Sequence, residues 1–105
     1  MTTFDKREEG FEKKFALDEE QKFKAEARRN RLLGLWAAEK LGVTGEAAAA
    51  YAREVVGGAF AVGGDAAVVA RVAGDLSAKG VAADEIRARM SELLPQAIVQ
   101  VKAGQ

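Results

Sequence analysis

From Leu32 onward, glycines divide the chain into pieces of helical length, and each piece repeats its apolar residues at the helical period. Gly42 and Gly45 make one division, Gly57 to Gly64 a second, and Gly80 a third. Glycine reaches backbone conformations that close to other residues, so it commonly ends helices. At about 100° per residue, Val68, Val69, Val72 and Leu76 share one face. Ile86, Met90, Leu93, Leu94, Ala97 and Val101 form a longer stripe. No polar/apolar alternation persists beyond a few residues, so strands are not expected.

The pattern predicts four helices, over 19–41, 44–59, 65–79 and 84–102, in an all-α four-helix bundle. Thr44 and Asp65 are the expected caps of the second and third helices. Lys79-Gly80 should end the third, and Pro95 should bend the fourth. The run Leu32 to Ala38 is apolar nearly all round, which places the first helix in the middle of the packing. Gly34 within it weakens the helix, and a tight crossing with a neighbouring helix would compensate. The remaining glycines read as loop formers; none sits in a phosphate-binding Gly-Lys-Ser/Thr sequence.

The first third differs from the rest. Residues 1–31 carry 17 of the chain's 32 charged residues, nine basic and eight acidic. Within them Phe4, Phe11 and Phe15 fall in an arc of about 40° on a helix. Gly10 and the like-charge pairs Asp5–Glu9 and Glu8–Glu12 weaken that helix; Glu9–Lys13 supports it. Burying three rings offsets less than the backbone entropy lost by ordering eighteen residues. Residues 1–18 therefore read as an arm that is flexible or partly helical alone and becomes a helix in a partner's groove. Fully helical, it would extend about 27 Å. The same pattern also fits rings that fold back on the chain's own helices.

Composition narrows the chemistry. The chain has no Cys, so it has neither a disulfide framework nor a thiolate nucleophile. It has no His, which removes the commonest general base and the commonest metal ligand. No nucleophile–base pair is evident, and the chain reads as a non-enzyme without cofactor or metal. The net charge of zero argues against nucleic-acid binding. The longest uncharged run, Val55 to Gly64, holds four glycines in ten residues, too short and too broken to span a membrane. A cytoplasmic location is expected. Arg28, Arg29 and Arg31 form a basic cluster that suits an anion, a nucleotide or an acidic surface; a solvated helix face beside Glu26 is the simpler reading. Trp36 and Tyr51 read as core or interface residues.

The block from Phe23 to Ala38, with Arg28-Arg29-Asn30-Arg31 running into Leu35-Trp36-Ala37-Ala38, resembles the ζ subunit, the ATPase inhibitor of alphaproteobacterial F-type ATP synthases. Met1 to Glu8, Phe11 to Asp18, Tyr51 to Val56 and Glu85 to Leu93 are similar as well, so the resemblance covers nearly the whole chain. Gly58 to Gly64 departs from the acidic stretch that members often carry there. The resemblance implies a four-helix bundle at 19–105 and an inhibitory arm at 1–18. It implies α, β and central-shaft γ subunits as partners, reached at the periphery of the inner membrane, and a chain monomeric when free. The arm would enter an α/β catalytic interface as a helix and block the shaft in the hydrolysis direction. Periodicity selects Phe4, Phe11 and Phe15 as its anchors, with Arg7, Lys13 and Lys14 as charge contacts. Small-ligand sensing near Arg28, Arg29 and Arg31, or a role in assembly, is the alternative.

Overall fold

Asp18 starts the first helix by satisfying two backbone groups that the helix leaves open. Its carboxylate accepts the Gln21 N–H at 2.7 Å, and its own N–H donates to Gln21 Oε1 at 3.3 Å. This reciprocal capping box precedes Glu19 and Glu20, whose charges favour the helix N-terminus. The structure, a computed structural model, describes residues 17–61 and 63–104, without the side chains of Phe60 and Ala61. Among the described residues the fold has four α-helices: α1 (Glu19–Lys40), α2 (Gly45–Ala61), α3 (Gly64–Asp75) and α4 (Ala83–Lys102). A 3₁₀ turn, Ser77–Lys79, lies between α3 and α4. No strand occurs among the described residues.

Helix α1 packs against α2 and α4 along its length and touches α3 more briefly. That central place follows from its apolar girdle: Leu33, Ala37 and Ala38 are fully buried. The core joins Leu33 to Val55 of α2, to Val68, Val69 and Val72 of α3, and to Leu76, Ile86 and Met90. The first apolar stripe of the sequence thus faces inward, as do Ile86, Met90 and Ala97 of the second, whose Leu94 and Val101 are half-buried. Gly34 sits where α1 crosses α2. A Cβ at this position would lie 2.7 Å from the Ala52 Cα, which is the close crossing that a glycine inside α1 requires.

The loops show how glycine shapes the bundle. After α1, Gly42 turns left-handed at φ 76°. Its N–H then donates to the Glu39 carbonyl at 3.1 Å and the Val43 N–H to the Ala38 carbonyl at 2.9 Å. These two bonds form a Schellman ending. Gly57 and Gly58 are not loop residues: α2 continues through them to Ala61. The reversal comes at Gly63, φ 92°, which occupies the N-cap of α3. Asp65 is therefore no cap. It lies inside the first turn of α3, and its side chain is spent on a distant arginine. The α-helical hydrogen bonding of α3 stops at Asp75, and the 3₁₀ turn completes the stretch to Lys79. Helix α4 runs without interruption through Pro95. Among the described residues no helix is long and apolar enough to cross a membrane.

Candidate functional site

Phe4, Arg7, Phe11, Lys13, Lys14 and Phe15 lie outside the described residues. The structure does place the basic cluster of α1, and it splits that cluster in two.

Arg29 points inward and is 6% exposed, so it does not belong to a solvated face. Helical rotation explains this: Arg29 shares its side of α1 with Ala25 and Leu33, four residues away on either hand, and both are buried. Its buried guanidinium is satisfied twice. Nε and a terminal nitrogen donate to Asn30 Oδ1 at 3.2 and 3.1 Å. The same terminal nitrogen donates to Asp65 Oδ1 at 2.6 Å. Arg29 thereby ties α1 to the start of α3. It also forms part of the wall of a cleft of about 510 Å³ between α3 and α4, with Met90 and Leu94 on one side and Val69 on the other.

Arg28 and Arg31 face a different way. They border a groove of about 650 Å³ that runs along α1 beside α2 and the end of α4. Lys24 of α1 and Arg53 of α2 complete four basic residues around it. The apolar surface comes from Phe23, Ala27, Val56 and Val101. Phe23 is 56% exposed, an uncommon state for a phenylalanine ring in a chain with a formed core. Among the described residues no carboxylate lines the groove. Two of the cations pair with acids that do not line it: Glu20 with Lys24 at 3.1 Å and Glu46 with Arg53 at 2.8 Å, all on exposed side chains. Such exposed pairs are weak, so they leave Lys24 and Arg53 able to exchange them for a stronger partner.

Sequence reasoning found Arg28 and Arg31 but missed Phe23, Arg53, Val56 and Val101. A signal for part of this was present: Phe23, Ala27 and Arg31 recur every four residues and so lie on one face of α1. Arg53, Val56 and Val101 come from two other helices, and only the packing brings them there.

Trp36 and Tyr51 are packed. Trp36 rests against the core, with Lys40 Nζ 5.7 Å and Arg89 Cζ 5.4 Å from its ring centre. The Tyr51 hydroxyl donates to Asp75 Oδ2 at 2.7 Å, and Arg71 donates to the same oxygen at 2.7 Å. Burial, the bond to Asp75 and the charge of Asp75 hold the Tyr51 hydroxyl well above its ordinary range. The Asp75 carboxyl is held below its own: burial opposes ionisation, but the bonds from Tyr51 and Arg71 outweigh it. Among the described residues no group of three or more His, Cys, Asp or Glu is placed to hold a metal ion.

A family model described as ATPase inhibitor subunit zeta matches residues 1–100. The chain belongs to the zeta family of ATPase inhibitor subunits. Comparison with curated proteins returns no match. The zeta match takes in the four basic residues of the groove, the Arg29–Asp65 tie and all of residues 1–16, so it covers most of the bundle and the segment ahead of it.

Proposed function

We propose that this chain inhibits ATP hydrolysis by an F-type ATP synthase. Residues 1–18 enter an α/β catalytic interface as a helix and reach the γ shaft, while the bundle remains outside as a handle. The protein regulates and does not catalyse. Phe4, Phe11 and Phe15 supply the apolar edge of the inserted helix, and Arg7, Lys13 and Lys14 meet charge on the enzyme.

One observation carries this reading: the zeta family match begins at residue 1 and not at the start of the bundle. The in-phase rings support it, because a helix with one aromatic edge suits a cleft better than open solvent. The capping box adds a structural reason. Asp18 makes α1 a firm base that starts immediately after the segment, and its extended backbone sets a boundary there, so a helix formed by the inserted segment would be separate from α1 yet tethered directly to it.

The test compares the intact chain with residues 17–105 on a purified F-type ATPase. The intact chain is expected to suppress ATP hydrolysis, and the shortened chain to lose suppression while keeping its helical circular dichroism. Equal inhibition by both would exclude the arm mechanism.

A further inference from the structure

We propose that the groove bordered by Lys24, Arg28, Arg31 and Arg53 is the bundle's docking site, and that its occupant is an acidic, amphipathic helical segment of the inhibited ATPase. This rests on the inhibitor reading above and extends it from the arm to the bundle.

Three observations select that occupant. The first is charge. Four basic residues border the groove and no carboxylate lines it among the described residues, although the chain as a whole is neutral. A ligand with a row of Asp or Glu is complementary; a basic one is repelled. The second is the apolar floor. Phe23, Ala27, Val56 and Val101 line the groove together with the cations, and a purely ionic ligand would make no use of that apolar surface. An amphipathic helix covers the floor with one face and meets the rim with its flanks. The third is position. Along α1 the groove spans from Phe23 to Arg31, about 8 to 20 Å beyond Asp18 at 1.5 Å per residue. A partner that holds residues 1–16 is already beside it. The two contacts then belong to one molecule, and the second forms at high effective concentration once the first has formed.

The groove contact predicts a division of labour. The arm decides whether hydrolysis stops; the groove decides how tightly and how fast the inhibitor is held. Rim charges act mainly on encounter and are screened by salt.

The test uses the full chain and purified F-type ATPase. Arg31→Glu with Arg53→Glu reverses two exposed rim charges. Lys79→Glu with Arg87→Glu makes the same change in net charge away from the groove and serves as control. The rim variant is expected to bind at least tenfold more weakly than the control, with a reduced dependence on salt, yet to reach the same maximal inhibition at saturation. Since the chain has no cysteine, Ala27→Cys gives a single attachment point in the groove for a photo-crosslinker. It is expected to capture an acidic helical segment of the enzyme. Equal affinity of rim variant and control overturns the proposal. So does a cross-link only to a second copy of this chain, or none in the inhibited complex. Failure of the unaltered chain to inhibit at all would instead defeat the inhibitor reading itself.

Discussion

Gly34 and Ala52 bring α1 and α2 nearly to backbone contact. A methyl group on residue 34 would meet the Ala52 Cα at 2.7 Å and its Cβ at 3.1 Å. Glycine here costs helix propensity, about 1 kcal/mol relative to alanine. Overpacking a close crossing costs about 1–3 kcal/mol, so the contact outweighs the propensity. Gly34→Ala is expected to lower the denaturation midpoint. Because the nearest atom is backbone, adding Ala52→Gly should not restore stability. Chemical denaturation of the three variants tests this, and a single variant as stable as the parent would refute the tight crossing.

Gly58 predicts the opposite sign. It lies within α2, and nothing stands within 4 Å of a Cβ built on it. Gly58→Ala therefore gains helix propensity without a clash, and it should stabilise the bundle by about 0.5–1 kcal/mol. A fall in melting temperature would mean that the backbone at this point is not helical.

The tie between Arg29 and Asp65 is asymmetric. The Arg29 side chain is 7% exposed and that of Asp65 66%. Removing the carboxylate leaves a buried guanidinium with Asn30 alone, and an unsatisfied buried donor costs about 1–3 kcal/mol. Asp65→Ala should lie in that range. In Arg29→Met the carboxylate returns to water, so once the arginine is gone the further loss of Asp65 should cost little. A double-mutant cycle measures the difference, and additive losses would show that the pair is not coupled.

These cases show what the sequence made legible. The all-α class, the four helices and the two apolar stripes follow from local periodicity, which a single chain displays. The need for a close approach at Gly34 was visible as a propensity defect, although its partner was not. The ends of the helices were harder. Asp65 had the right chemistry for a cap, but Gly63 supplied the turn and Asp65 served Arg29, thirty-six residues earlier in sequence. Gly57 and Gly58 looked like a loop because propensity is local, whereas α2 is held by Ala52 and Val55 against its neighbours. The groove was legible only along α1. Its other wall is built by packing, and no spacing in the sequence records that Arg53 and Val101 share a groove with Phe23.

Tyr51 and Asp75 give the bundle opposite responses at the two ends of the pH scale. The folded state keeps the Tyr51 proton that the unfolded chain releases near its ordinary value of about 10. Above that pH the unfolded state binds fewer protons, so stability should fall as pH rises. Asp75 is lowered in the folded state, so its contribution is present above about 4 and is lost as pH falls through its lowered value. Tyr51→Phe should flatten the alkaline limb, and should weaken the acid limb by removing one of the two donors to Asp75. Denaturation series from pH 3 to pH 11 check both; an unchanged alkaline slope in Tyr51→Phe would assign that limb to other groups.

The capping box decides where the arm can be cut. Asp18 belongs to α1 by its hydrogen bonds, although the charge pattern groups it with residues 1–17. Losing such a cap costs about 0.5–2 kcal/mol of helix stability. A chain starting at Leu17 should therefore unfold like the intact protein, and one starting at Glu19 should be less stable by that amount. Asp18→Ala in the full chain should reproduce the loss, and Asp18→Asn should recover most of it because the amide oxygen still accepts the Gln21 N–H. Inhibition separates the two roles. Removing residues 1–16 should abolish it at unchanged stability, whereas Asp18→Ala should lower stability and keep inhibition below the unfolding transition. If Asp18→Ala abolished inhibition at full helicity, Asp18 would act through the partner and not through the cap.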